Sequence, residues 1–135
     1  MVIAIFPILL WVSVRDLRTH RIPNSGLVLL SIVALLISLQ GSHPWGRHLI
    51  ASAIVFFITL MGHIFLALGM GDLKFLVILA MLVIPADVES FQKFLIIFSI
   101  AAICHLILSA RDRAGRERSI PLAPSISLAT VALLF

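Results

Sequence analysis

The chain has 135 residues, of which 61% are hydrophobic and 12% are charged, and its mean hydropathy is +1.20. A soluble domain of this length needs far more polar surface to cover its core, so we expect a bilayer as the solvent and a single domain. The formal charge of +4 comes from short basic clusters between apolar blocks. Such clusters set membrane topology, and here they do not indicate nucleic-acid binding.

Long apolar blocks divide the chain, and each block predicts a helix. In chain order they cover residues 2–17, 25–39, 48–68, 73–85, 91–110 and 120–135. The third and fifth are long enough to span a bilayer, and the first reaches that length only if its helix continues through Asp16. The fourth would be about 20 Å long, against a hydrocarbon core of about 30 Å. It is therefore a short span, or it extends through Pro85, or other helices shield it.

The basic residues predict the orientation of these helices. If every block crosses the membrane, segments 15–24, 69–74 and 111–119 lie on the same side. They carry eight lysines and arginines, against two on the other side. The positive-inside rule places these segments in the cytoplasm. We therefore expect an all-α transmembrane helix bundle of about six spans, with the N-terminus and the C-terminus outside.

Two of the six carboxylates stand apart from the rest. Four have an ordinary interpretation as solvated loop residues with ion pairing. These four are Asp87, Glu89, Asp112 and Glu117. Asp16 and Asp72 remain, each at the cytoplasmic edge of an apolar block. Two crossings separate them, so both are expected on the same side at similar depth.

Two carboxylates at close range can together catalyse hydrolysis. Their repulsion keeps a proton on one of them near neutral pH. The ionised one then acts as general base on a water, and the protonated one donates to the scissile carbonyl oxygen. Such a pair titrates as a unit, so the sequence assigns neither role to either aspartate. Structural alternatives are an N-cap for Asp72 and an interfacial ion pair between Asp16 and Arg15 or Arg18.

Each of these aspartates lies in a distinctive motif. The first motif is D-x5-I-P-N, in which Pro23 and Asn24 end a loop and start the second helix. The second is G-x-G-D-x-K, whose glycines let the backbone turn sharply and a peptide strand approach closely. Lys74 is expected to reach phosphate headgroups or to support substrate binding. The candidate positioning residues are Ile22, Pro23, Asn24, Gly69, Gly71 and Lys74.

The two motifs, in this order in a polytopic chain, resemble those of the prepilin (type IV leader) peptidases. Residues 120–124 show a weaker similarity to the proline-containing segment that opens the last helix of that family. The resemblance implies an aspartic endopeptidase with Asp16 and Asp72 as its catalytic pair and no metal or other cofactor. Such enzymes cut the short basic leader from prepilins and pseudopilins, after a glycine, at the cytoplasmic face of the bacterial inner membrane.

The chain departs from the long, bifunctional members of that family. Those members carry a cytoplasmic insertion with paired cysteines, and they also methylate the new N-terminus. Here Cys104 is the single cysteine, and there is no room for the insertion, so N-methylation is not expected. The size resembles the short members that serve Tad (Flp-type) pili. We therefore expect residues 1–135 to form one integral-membrane peptidase domain whose partners are prepilin or pseudopilin substrates and membrane lipids, in an oligomeric state that the sequence does not indicate.

Two other functions remain open. A catalytically silent assembly factor for pili or secretion would bind pilin without cleaving it. A small carboxylate-dependent transporter would place its aspartates nearer to the middle of the membrane.

Four histidines are further candidates. His63 and His105 would lie about 9 Å below the membrane edge by helical rise. Each is expected to be neutral and hydrogen-bonded to a neighbouring helix, with a role in positioning the aspartates as the alternative. His43 and His48 are expected in the outer loop, where they form at most a weak metal site because no third ligand is near in sequence.

Overall fold

The computed structural model describes residues 2–19, 21–40, 43–66, 69–111 and 122–134, and the regular structure in these ranges is helical throughout. The helices are α1 (Val2–Thr19), α2 (Asn24–Leu39), α3 (Trp45–Leu66), α4 (Met70–Leu82), α5 (Val88–Arg111) and α6 (Ala123–Leu134). The prediction of an all-helical fold is confirmed. Asp112, Glu117 and the first two residues of the segment 120–124 lie outside the described residues.

Helix α1 has the length that its apolar block required, because it continues through Asp16 to Thr19. Helix α3 starts earlier than predicted, at Trp45. The carbonyl oxygen of Pro44 accepts the N–H groups of Arg47 and His48 and so closes the first turn. The placement of His48 in the outer loop is therefore wrong, since it lies within α3.

Helix α4 has 13 residues and ends at Leu82, so the predicted extension through Pro85 is wrong. The residue before a proline is disfavoured in helical conformation, which explains why the helix stops short of Pro85. At this end the N–H groups of Val83 and Ile84 both donate to the carbonyl oxygen of Leu79. Among the described residues α4 packs against α2, α3 and α6. Other helices therefore shield this short helix, and its crossing of the membrane as a short span stays a prediction.

Four helices form the centre of the bundle. Helix α1 packs against α2 and α6, and α4 packs against the same two helices, so the four close into a ring. Within the described part of the chain, α3 contacts only α4, and α5 contacts only α6. The ring supplies the buried core, whose largest fully buried side chains include Ile5, Leu9, Leu30, Phe75, Leu79 and Ile126.

Close approach of α1 and α2 depends on Gly26. A Cβ atom at this position would lie 2.7 Å from Cγ2 of Val12 and 2.9 Å from Cζ3 of Trp11. Lipid tails are as apolar as the helix surfaces, so tight packing through small residues is a main source of helix association in a membrane. The missing side chain of Gly26 thus permits the contact between the two helices that carry the first motif.

Helices α3 and α5 are long and apolar enough to cross a membrane, by length and composition. The segments Trp45–Phe65 and Val88–His105 have mean hydropathies of 2.0 and 1.4, and only 17% and 6% of their most apolar windows are buried. An apolar helix that packs on one partner and exposes its other faces suits contact with lipid rather than water. The described structure thus contains two helices of spanning length outside the central ring.

Candidate active site

Asp16 lies in the last turn of α1 and is 4% exposed. Its Oδ2 atom accepts a hydrogen bond of 3.2 Å from the backbone N–H of Ala123. Ala123 is the first residue of α6, and the N–H groups of a first helical turn have no acceptor within their own helix. The carboxylate of α1 therefore satisfies the amino-terminal end of α6, where a negative charge is also favoured by the helix dipole.

Asp72 is the third residue of α4 and is 9% exposed. Its Oδ1 atom is buried and has no hydrogen-bond partner among the described residues. Asp72 directly precedes the apolar segment of α4, which starts at Leu73. Burial and, second, the negative charge of Asp16 raise the pKa of Asp72 to about 7, from an ordinary value of 3.8. The two carboxylates are thus electrostatically coupled, and one of them holds its proton near neutral pH.

The possible role of Asp72 as an N-cap is not supported. The N-cap of α4 is Gly69, with φ −61° and ψ 136°. A Cβ atom on Gly69 would lie 2.8 Å from Oδ2 of Asp72, so the carboxylate lies directly over this glycine. Gly69 is therefore needed for space beside the carboxylate and not for an unusual backbone angle.

The two sequence motifs meet at Ile22 and Gly71. A Cβ atom on Gly71 would lie 3.0 Å from Cβ and 3.4 Å from Cγ1 of Ile22. The isoleucine of the first motif thus packs on the backbone next to Asp72. Pro23 is the N-cap of α2 in extended conformation, and Asn24 is the first helical residue, as the sequence predicted.

The remaining motif residues are less closely tied to the carboxylates. Asn24 and Lys74 are exposed. Their suggested contacts with substrate or headgroups stay predictions.

A buried hydroxyl pair joins α1 to α6 one turn from Asp16, and the sequence did not single it out. The hydroxyl of Ser13 lies 2.8 Å from the hydroxyl of Ser127 and 2.8 Å from the carbonyl oxygen of Leu9. Ser127 in turn lies 3.4 Å from the same carbonyl oxygen. Ser13 also lies 3.5 Å from the carbonyl oxygen of Ala123. Both serines are buried, so the start of α6 is fixed against the end of α1.

His43 and His48 contact the carboxyl-terminal end of α4, far from the aspartates. Nε2 of His43 lies 3.2 Å from the carbonyl oxygen of Met81, and Nδ1 of His48 lies 3.2 Å from that of Ala80. The two rings stack at 3.9 Å. They therefore satisfy carbonyl groups that a helix end leaves without partners. No cluster of three or more metal-ligating side chains occurs among the described residues.

The other polar residues that the sequence analysis considered lie on α3 and at or within α5. Asp87 caps α5, since its Oδ1 atom accepts the N–H of Ser90 at 2.8 Å, a bond that lowers the pKa of Asp87. Glu89 forms the expected ion pair, with Lys93 at 2.7 Å. His105 was expected to form a hydrogen bond to a neighbouring helix. Its Nε2 atom is instead buried without a partner among the described residues. His63 is half-buried on α3.

The sequence model of the type IV leader peptidase family matches residues 3–110. This range contains both motifs and both aspartates. The chain belongs to the type IV leader peptidase family. No curated protein and no solved structure matches it. Membership of this peptidase family supports protease activity in general.

The two sequence motifs meet at one end of the central ring. The carboxyl-terminal end of α1, the loop before α2 and the amino-terminal ends of α4 and α6 converge at one end of the ring. Two buried carboxylates lie there. The opposite end of the ring is marked by Ser38 of α2, which donates to the carbonyl oxygen of Ala34 at 2.8 Å and lies 3.5 Å from that of Leu82.

Proposed function

We propose that this member of the type IV leader peptidase family is a membrane-embedded aspartic endopeptidase that removes the basic leader from prepilin or pseudopilin precursors. The observation that carries the proposal is the pair Asp16 and Asp72. Both carboxylates are buried at the same end of the central ring, and burial and, second, the charge of Asp16 raise the pKa of Asp72. Two neighbouring buried acids repel each other when both are ionised, whereas acid–base hydrolysis uses one ionised and one protonated acid.

The reaction uses both protonation states of the pair. The ionised aspartate takes a proton from a water molecule while the water oxygen bonds to the scissile carbonyl carbon. The protonated aspartate gives its proton to the carbonyl oxygen, and the product of this addition is a tetrahedral diol. A proton then moves to the leaving nitrogen as the carbon–nitrogen bond breaks, and the new carboxyl and amino termini separate. No metal or other cofactor takes part in this scheme.

The proposed topology follows the distribution of basic residues. About six spans cross the bacterial inner membrane, both termini face outward, and the aspartates lie at the cytoplasmic edge. The apolar helix of the substrate packs laterally against the bundle, and the leader junction reaches the carboxylates. We place the chain among the short members that serve Tad (Flp-type) pili, without N-methylation of the product.

Leader cleavage tests the activity. The chain is co-expressed with a prepilin that carries a short basic leader, and the leader is followed by gel shift. Asp16→Asn and Asp72→Asn are expected to abolish processing, while Glu89→Gln is the control, because Glu89 is an exposed carboxylate in an ion pair on α5. Full processing by either aspartate variant, after membrane insertion has been verified, would show that the mechanism is wrong.

Cysteine labelling tests the topology. In a Cys104→Ser background, single cysteines are introduced at Thr19 and at Asp87, which are both exposed. A membrane-impermeant maleimide is expected to label position 87 from the outside of intact spheroplasts and position 19 only after permeabilisation. The reverse pattern would invert the proposed orientation.

A further inference from the structure

The two aspartates differ in their hydrogen-bonding environments. Asp16 accepts a backbone N–H from the first turn of α6. Asp72 has a buried carboxylate oxygen without a partner among the described residues. A carboxylate that accepts an N–H is favoured in its ionised form, and one that is buried without donors is favoured in its protonated form. The surroundings of the pair therefore separate two groups that are chemically identical.

We propose that the first turn of α6, held against α1 by Ser13 and Ser127, keeps Asp16 as the ionised base of the pair, so that Asp72 carries the proton and is the acid. The inference rests on the proposed function, because base and acid have meaning only for a reaction. Asp16 then takes the proton from the attacking water, and Asp72 donates its proton to the scissile carbonyl oxygen. Ser13 and Ser127 are positioning residues, since they act through Ala123.

The serine pair holds the start of α6 against α1 through side chains that can be substituted. Each hydroxyl carries one hydrogen, and together the two groups connect Leu9 of α1 with α6. Ser13 lies three residues before Asp16, and Ser127 lies four residues after Ala123. These spacings place the hydroxyl pair one helical turn from the bond between Asp16 and Ala123.

Helix dipoles by themselves favour the opposite assignment. Asp72 lies at the amino-terminal end of α4, which favours its charge, and Asp16 lies at the carboxyl-terminal end of α1, which disfavours it. The direct N–H bond to Asp16 is a stronger effect than a dipole that acts without a donor. Both aspartates are buried, so what separates them is the absence of a hydrogen-bond donor at Oδ1 of Asp72 among the described residues, which acts in the same direction as that bond.

The neighbouring helices bring few other charges to the pair. In the described residues α2 and α6, which pack against α1, contain no charged side chain. Helix α4 carries Lys74, and α3 carries His63 in the half nearer this end. Arg15 and Arg18 lie on α1 itself, and Arg15 extends over the ring of Trp11 with its Cζ atom 6.0 Å from the centroid.

Infrared spectroscopy of the whole chain in lipid tests the assignment without substrate. The readout is the C=O stretching band of a protonated carboxyl group at about pH 6, one unit below the pKa of about 7 for Asp72. The band is expected in the wild type and is expected to disappear in Asp72→Asn. Persistence of the band in Asp72→Asn, or its absence from the wild type, would overturn the assignment. A wild type that shows the band but cleaves no prepilin would instead refute the proposed function.

A pH–rate profile tests the role of α6. Ala123→Pro removes the N–H that Asp16 accepts, at a helix position where proline is well tolerated, and Ala123→Gly keeps that N–H. We expect the acidic limb of the profile to move up by about one pH unit in Ala123→Pro and to stay in place in Ala123→Gly. An unchanged acidic limb in a folded Ala123→Pro variant would overturn the proposal.

Ser127→Ala provides the same test with a milder change. It leaves the N–H in place but releases the start of α6, so the acidic limb is expected to move in the same direction by a smaller amount. Ser38→Ala is the matched control, because Ser38 is equally buried and donates its hydroxyl to Ala34 at the opposite end of the ring. If the two serine variants shift the limb equally, or neither shifts it, Ser127 has no positioning role.

Discussion

Replacing Gly69 by alanine is expected to displace the carboxylate of Asp72 while leaving the fold intact. Gly69 has φ −61° and ψ 136°, which any L-residue adopts without strain. The added Cβ, however, would lie 2.8 Å from Oδ2 of Asp72, where an ordinary contact begins at 3.4 Å. The oxygen therefore has to retreat by about 0.6 Å. Because a misplacement of about 1 Å can cost about 10²-fold in rate, this displacement predicts a loss on the order of tenfold in kcat.

The stability of Gly69→Ala should remain close to that of the wild type. Alanine is a poorer N-cap than glycine, by about 0.5–1 kcal/mol. It also restricts the unfolded chain more than glycine does, which contributes about 0.4–1 kcal/mol in the opposite direction. The two effects nearly cancel, so a loss of activity would not reflect a loss of folded protein.

The assay is leader cleavage under steady-state conditions, with folded protein measured separately by thermal unfolding in detergent. The control is Gly46→Ala, because a Cβ at Gly46 meets nothing within 4 Å. We expect kcat to fall for Gly69→Ala with KM little changed, and no effect for Gly46→Ala. A wild-type kcat for Gly69→Ala, together with an inactive Asp72→Asn, would refute the reasoning that the carboxylate acts from its position over this glycine.

Three further changes test the packing, the burial and the helix end. Gly26→Leu would collide with Val12 and is expected to lower the free energy of unfolding by about 1–3 kcal/mol. Chemical denaturation measures this free energy, and an unchanged value would contradict the close approach of α1 and α2. Burial raises the pKa of Asp72 from 3.8 to about 7, so the native chain binds more protons than the unfolded chain between these values and its stability falls as pH rises through them. Asp72→Asn removes this loss, so the variant should be more stable than the wild type by up to about 4 kcal/mol above pH 8 and should differ little from it below pH 4. Equal stability of the variant and the wild type at both pH values would show that Asp72 is not buried. His48→Ala removes the bond to Ala80 and is expected to lower thermal stability without changing kcat per folded molecule, and a change in kcat would contradict its purely structural role.

The helical fold and the residue types of the site could be predicted because their signals are local. Apolar blocks report which segments avoid water, and the glycine and proline residues beside Asp16 and Asp72 mark where helices end and begin. Some helix boundaries differ from those of the apolar blocks. Helix α3 starts three residues before its block, since a helix also includes polar residues such as Arg47 whose N–H groups bond the preceding turn.

The sequence by itself determined that the chain is helical and apolar, that it carries two motif aspartates and that it resembles the leader peptidases. Only the tertiary structure decided that Ile22 packs on Gly71, and that Asp16 accepts an N–H while Asp72 has a buried oxygen without a partner in the part of the chain that the structure describes. The N–H of Ala123 is a backbone group that every residue except proline possesses, so the residue type at this position does not indicate the hydrogen bond. Its effect on Asp16 arises from a contact between two residues that are 107 positions apart in the chain, and such long-range contacts leave no local pattern.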